Sequence, residues 1–122
     1  MDLGIRNRKA ILMASSRGLG RACAESLARE GVDLVINGRT AEDVTRACDE
    51  LRRAHGVNVS GVVGDASSND VHDALLAACP EPDIVLLNGE GPPPTPFGRI
   101  DEAMWPTRCS ARWSHRCCSC SA

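Results

Sequence analysis

Apolar and polar residues follow a fixed rhythm over the first 88 positions: a short apolar run, a turn, then a stretch with helical spacing. Lys9–Ala14, centred on Ala10-Ile11-Leu12-Met13, predicts a buried strand. From Gly18 the positions Leu19, Ala22, Cys23, Ser26 and Leu27 recur at helical spacing, and Gly31 supplies the stop. Val32–Asn37, with Leu34-Val35-Ile36, predicts a second strand. Thr40 followed three residues later by Asp43 has the form of a capping box. Val44, Ala47, Leu51 and Ala54 then make the buried stripe of a second helix ending at Gly56. Val57–Val63 is a third, partly alternating strand. Ser67 with Asp70 caps a third helix carrying Val71, Ala74, Leu75 and Ala78, which Pro80 and Pro82 close. Asp83–Leu87, with Ile84-Val85-Leu86-Leu87, is the fourth strand.

The fourth strand has no polar face, as in a parallel sheet covered on both sides. Strand–helix units of this spacing require right-handed crossovers, which gives an α/β, Rossmann-like doubly wound fold with about four strands in the order 3-2-1-4. In that order strand four is an edge, with backbone groups open on one side. Asn88-Gly89-Glu90-Gly91-Pro92-Pro93-Pro94 is a stiff loop, and Gly98–Trp105 is compatible with a short helix. Beyond it, residues 106–122 hold no aliphatic side chain larger than alanine and follow neither period, so they cannot supply a fifth buried strand. The expected division is therefore an ordered half-domain over 1–105 and a disordered Cys/Arg/Ser-rich tail over 106–122.

The chemistry sits in the first turn. Ser15-Ser16-Arg17-Gly18-Leu19-Gly20 joins the first strand to the first helix, and small residues at 14–16 let backbone approach a pyrophosphate. The helix's free N–H groups and positive dipole end then face the anion. A glycine turn by itself also serves merely to connect a strand to a helix; its place ahead of three more alternating units favours nucleotide binding. The second strand ends Asn37-Gly38-Arg39-Thr40, with no acid until Glu42 and Asp43. An NAD-binding unit places Asp or Glu there for the ribose hydroxyls. Here Arg39, with Arg17, is suited to clamp a 2′-phosphate by charge-assisted hydrogen bonds, the alternative being two solvated arginines.

Composition narrows the classes. A formal net charge of −2 over 122 residues gives no reason to expect nucleic acid. Residues 1–105 carry 11 basic and 16 acidic side chains, and Arg108, Arg112 and Arg116 follow with no acid. No run approaches the roughly 18 apolar residues of a membrane span, and no signal-peptide apolar region opens the chain, so a membrane partner is not expected. Cys23, Cys48 and Cys79 lie singly in helical patterns, as reduced thiols of a cytoplasmic protein do.

Together these segments resemble the short-chain dehydrogenase/reductase family, most closely its NADP(H)-dependent 3-oxoacyl-(acyl carrier protein) reductase-like members, over residues 1 to about 105. Ser15–Gly20 is similar to the family's phosphate loop and Asn37–Thr40 to its NADP-type second-strand terminus. Asp65-Ala66 is similar to the segment that meets the adenine. Asn88-Gly89-Glu90-Gly91 resembles the family's Asn-Asn-Ala-Gly segment, which supports the sheet and the nicotinamide-side ribose. The resemblance thus implies NADP(H) as cofactor, held by Ser15, Ser16, Arg17, Gly18, Leu19, Gly20, Asn37, Arg39, Thr40, Asp65, Ala66, Asn88 and Gly89. It implies reversible hydride transfer between nicotinamide and a carbonyl or alcohol, with a 3-oxoacyl thioester as one substrate class. Met13-Ala14 stands where the family has Thr-Gly, so an alanine Cβ must fit the first turn, and Glu90 replaces an alanine.

One absence weighs against activity. The family's chemistry uses a Ser, a Tyr and a Lys four residues after the Tyr. This chain has no tyrosine, and its only lysine is Lys9, so no catalytic residue carries over. The segments that usually build the family's homo-oligomer interface are not recognisable either. The sequence reads as the cofactor-binding part of an oxidoreductase; the alternatives are a non-catalytic nucleotide-binding fragment and a metal-binding interaction protein. For the last, Cys109, His115, Cys117, Cys118 and Cys120 are metal-compatible ligands, but their spacing is not a paired Cys-x-x-Cys knuckle, and no metal site is assigned. The residues after Trp105 resemble another reading frame of the same gene.

Overall fold

The computed structural model describes residues 2–89 and 94–104. Two compact units divide the chain at Asn88 and Gly89. The first unit runs β1 (Lys9–Leu12), α1 (Gly18–Arg29), β2 (Asp33–Gly38), α2 (Ala41–His55), β3 (Val59–Val63), α3 (Asn69–Ala78) and β4 (Ile84–Leu86). Its four strands form a parallel sheet in the order β3-β2-β1-β4, as the sequence pattern requires. Ala10 lies level with Leu34 on β2 and with Ile84 on β4, and Leu34 is level with Val59 on β3. Each strand sits within two residues of its expected bounds. In the second unit the expected helical piece appears, among the described residues, as a 3-10 turn at Phe97–Arg99 and a turn closed by Met104 N–H on Asp101 O. Trp105 and the tail cysteines, arginines and His115 lie outside the described residues, as does Glu90.

The pleat sorts alternate strand residues onto two faces. Ala10, Leu12, Leu34, Ile36 and Val59 face α1 and α2, where Val44, Ala47, Cys48 and Leu51 complete the main core. Ile11, Met13 and Val35 face α3 and pack with Val71, Leu75 and Cys79 in a smaller second core. Cover on both sides holds for β1 and β2 but not for β4, where Val85 stays 51% exposed. The reason is the placement of α3, which packs over β3 and β2. Among the described residues β4 pairs with β1 alone, so its other edge is open.

The helices correct several sequence expectations. The buried face of α1 is Gly20, Ala24 and Ala28, with Leu27 half-buried. Leu19, Ala22, Cys23 and Ser26 are exposed. Small residues at every fourth position let the helix lie close to the sheet, and that close packing, rather than side-chain hydrophobicity, selects the face. Ala54 on α2 and Ala74 and Ala78 on α3 are likewise exposed. Thr40 is the N-cap of α2, yet its side chain makes no capping bond. The N-cap of α3 is Ser68, because Ser67 is engaged elsewhere: its N–H and hydroxyl donate to Asp65 Oδ1 at 2.9 and 2.7 Å. Gly56 ends α2 in the left-handed conformation, its N–H on Arg52 O.

One charged cluster ties α1 to α2. Arg21 donates to Glu25 at 3.0 Å and to Glu50 at 3.1 Å, while His55 Nε2 lies 2.6 Å from Glu25 Oε1. The Glu25 carboxyl is held below its ordinary value, first by the His55 hydrogen bond and then by Arg21, with partial burial opposing. A depressed carboxylate favours the folded state above the unfolded-state value near 4.5 and loses that contribution as pH falls through the folded value. Glu25→Gln is therefore expected to lower the urea midpoint near neutral pH, with the difference from the parent chain shrinking below about pH 4.5. A difference independent of pH would remove the carboxylate from this account.

Ala14, just past β1, has φ +48, in the left-handed region where an L side chain is strained. This is where the family-like pattern carries glycine. Ala14→Gly should raise stability by about 1 kcal/mol, since the relieved strain exceeds the added unfolded-state entropy. Thermal unfolding measures it, and a lowered midpoint would show that the Ala14 methyl contributes more by packing than it costs in strain.

Candidate dinucleotide site

The carboxyl ends of all four strands meet along one edge of the sheet, and the loops leaving them bring the candidate residues there. Parallel α/β sheets hold ligands at this edge because helix N-termini converge on it. The first loop is built around Ala14, whose peptide groups on both sides are tied. Its N–H donates to Asn37 Oδ1 at 3.1 Å, and its carbonyl accepts from Asn88 Nδ2 at 3.2 Å. The same carbonyl sets the distance to α1: a Cβ on Gly20 would lie 2.3 Å from it, so only glycine allows this approach.

Ser15 and Asn37 are sealed inside the unit, at 0% and 1% exposure. Ser15 Oγ donates to Leu12 O at 2.9 Å and accepts from Asn37 N–H at 3.2 Å, while Ser15 N–H donates to Asn37 O at 2.7 Å. The Asn37 amide nitrogen donates to Val62 O and Gly64 O, both at 3.1 Å. The side chains of these two site candidates thus shape the loop from beneath. Nothing in the sequence pattern distinguishes that role from ligand contact, except that Asn37 is a polar residue directly after the aliphatic run Leu34-Val35-Ile36.

Ser16 packs on Gly38, where an added Cβ would lie 2.5 Å from Ser16 Oγ. Arg17, Gly18 and Leu19 are exposed, Leu19 to 82%. The start of α1 is chemically bare: Arg17 provides no side-chain cap, no acid lies in the first turn, and nothing comes within 4 Å of a Cβ position on Gly18. The first N–H groups of a helix have no partner within the helix. By contrast α2 begins with Glu42 and Asp43 in its first turn. Among the described α-helices, α2 and α3 carry acids in their first turns and α1, at the end of β1, carries none.

Arg39 and Thr40 are exposed at the end of β2. Asp65 follows β3, its carboxyl held below the usual range by the Ser67 N–H and then the Ser67 hydroxyl, with the Arg39 charge contributing less. Ala66 is fixed through its carbonyl, 2.7 Å from His72 Nε2. The first unit thus gathers Ser15, Ser16, Arg17, Gly18, Leu19, Gly20, Asn37, Arg39, Thr40, Asp65, Ala66 and Asn88 on the ends of its strands, whereas Gly89 opens the second unit. The sequence pattern gives Asp43 only as a capping residue of α2, whereas its carboxylate lies 3.5 Å from Arg17 Nε. Cys48 is buried, and burial pushes its thiol up; Cys79 is buried and Cys23 exposed, all three unpaired. Among the described residues no His, Cys, Asp and Glu side chains gather as a metal site, and no helix is long and apolar enough to cross a membrane.

Comparison with known proteins agrees with this geometry. A family model described as short chain dehydrogenase matches residues 8–107. The chain is 36% identical over 89 residues to the uncharacterized oxidoreductase YvaG of Bacillus subtilis (strain 168), covering 72% of this chain and 34% of that protein. It is 32% identical over 92 residues to the 3-oxoacyl-(acyl-carrier-protein) reductase FabG of Aquifex aeolicus, covering 72% and 37%. Among solved structures, L-sorbose reductase from Gluconobacter frateurii complexed with NADPH and L-sorbose superposes with a TM-score of 0.78 at 26% identity, over 91% of this chain and 44% of that one. A metagenomic short-chain oxidoreductase in complex with NADP gives a TM-score of 0.68 at 25% identity, over 87% and 50%. The chain spans about a third of the length of the curated relatives it matches. Fold, strand order, glycine turn and family match lead to one assignment: this chain belongs to the short-chain dehydrogenase family.

Proposed function

We propose that the first unit is the NADP(H)-binding part of a short-chain dehydrogenase/reductase. The observation that carries this reading is the bare N-terminus of α1, held at the carboxyl edge of the sheet through the doubly tied Ala14, with Arg17 and Arg39 beside it. The backbone of Ser16–Gly20 would hold the pyrophosphate, and Arg17 and Arg39 the 2′-phosphate. Thr40 would lie beside the phosphate, Asp65 and Ala66 would border the adenine, and Asn88 the nicotinamide-side ribose. Ser15 and Asn37 act as positioning residues beneath the loop. The bound cofactor supplies the hydride donor or acceptor. NADPH and NADP in the two solved relatives support this choice of dinucleotide. A carbonyl or alcohol is the substrate class, with 3-oxoacyl thioesters the first to test, and a reducing cytoplasmic setting suits Cys23, Cys48 and Cys79, the unpaired cysteines among the described residues.

These 122 residues contain no tyrosine, which favours binding without turnover for this polypeptide by itself. Calorimetry is expected to show NADPH binding at least about fivefold tighter than NADH, a difference of roughly 1 kcal/mol. Arg39→Asp should reverse the order, because a carboxylate repels the 2′-phosphate and accepts from ribose hydroxyls. Equal affinities in the unaltered chain would defeat the NADP(H) reading.

NADPH oxidation with acetoacetyl thioesters should stay at the blank rate even when the cofactor is saturating, since no group supplies the proton that a Tyr hydroxyl provides in the family. Protein-dependent turnover from homogeneous material would place a proton donor in this chain that the present reading lacks.

A further inference from the structure

Asp43 occupies the first turn of α2, at the spacing from Thr40 that would return its carboxylate to cap the helix. It faces two arginines instead. Oδ2 lies 3.5 Å from Arg17 Nε and Oδ1 lies 3.6 Å from Arg46 Nη1. The Asp43 side chain is 19% exposed, against 74% for Arg17 and 65% for Arg46. The carboxylate is thus the seated member of the trio, and the two guanidinium groups are long, solvated side chains able to change partner. Arg17 lies directly before the bare start of α1, so the carboxylate reaches from α2 across to the glycine turn.

We propose that Asp43 is a specificity-determining residue of the dinucleotide site. It holds Arg17 as a counter-charge and competes for that guanidinium with a phosphate monoester on the adenosine 2′-position. The inference rests on the reading of Arg17 as part of the 2′-phosphate clamp. Its physical basis is charge balance. Arg17 and Arg46 bring two positive charges, Asp43 cancels one, and a phosphate monoester brings close to two negative charges that the carboxylate repels. A dinucleotide without that phosphate has no such competition. Asp43 therefore acts on the ratio of the two affinities, and it tempers the preference that the arginines create.

The test is the NADH-to-NADPH ratio of dissociation constants, measured by calorimetry on the full chain. Asp43→Asn should tighten NADPH about three- to fivefold, the upper part of the scale of an exposed ion pair, while NADH changes by less than about twofold. Asp43→Ser, which keeps a polar side chain in the first helical turn, should widen the ratio in the same direction, and Asp43→Glu should restore it. The gain should shrink with added salt, since these charges are solvent-exposed. A purely structural role would instead weaken both dinucleotides together. An unchanged or narrowed ratio in the Asn and Ser variants overturns the proposal, as does loss of folding in both. If the unaltered chain lacks an NADPH preference, the dinucleotide reading itself fails. If that preference is present but untouched by Asp43 substitution, only the role of Asp43 fails.

Discussion

One buried amide sets the geometry on which the rest of the site depends. Asn37, on β2, is 1% exposed, and its side chain bonds to Ala14 N–H, Val62 O and Gly64 O, at the ends of the two flanking strands β1 and β3. A buried amide that loses a partner costs about 1–3 kcal/mol, so a satisfied one strongly disfavours any shift of those ends relative to each other. No buried polar side-chain atom among the described residues is left without a partner. Asn88 completes the arrangement from β4 by donating to the carbonyl of the same Ala14. The strained residue at the end of β1 is thereby held between two amides. Backbone strain of this kind persists only where its surroundings over-determine it.

From Ala14 the constraint passes to α1. The helix lies so near that a Cβ on Gly20 would meet the Ala14 carbonyl, and its buried face continues with Ala24 and Ala28. Small residues bring little apolar area per side chain. Tight apposition to the sheet makes up for it, with Leu12, Leu34 and Ile36 supplying bulk from the strands. The consequence for function is positional. A helix held this close keeps its first N–H groups at the end of β1, where partial positive charge meets whatever the loop binds. The same economy leaves Leu19 pointing into solvent at the mouth of the loop.

Much of this was legible in the sequence, and the parts that were not share a cause. Each strand is a short aliphatic run bounded by turn residues, so number, order and approximate bounds follow from local pattern. The glycine turn is local as well. Helix faces were harder. On α1 the eye follows Leu19 and Leu27, but the sheet selects Gly20, Ala24 and Ala28 because it rewards closeness. Asn37 was readable as a polar strand end and not as a tie, since its partners at positions 14, 62 and 64 lie 23 or more residues away. The capping expectations failed for a related reason. Asp43 and Ser67 both had local roles open to them, and tertiary or neighbouring charges, Arg17 for one and Asp65 for the other, offered better partners.

Those displaced caps expose a property of the site's electrostatics. Arg17 is matched by Asp43, and Arg39 lies near enough to Asp65 to lower its carboxyl value. Each of these two arginines thus lies near an acid. In a chain with a formal net charge of −2 such pairing avoids a concentrated positive patch that would attract polyanions indiscriminately. Selectivity then has to come from geometry: a phosphate that reaches both arginines at once gains charge-assisted hydrogen bonds from each. An isolated anion that reaches only one must displace a carboxylate for a single contact. The N-terminus of α1 has no acid of its own in the first turn, and it sits where the Ala14 tie holds it. Under the proposed reading, fixed backbone charge at the start of α1 would serve the common pyrophosphate and the acid-facing arginines of two neighbouring loops the distinguishing phosphate, dividing affinity from specificity.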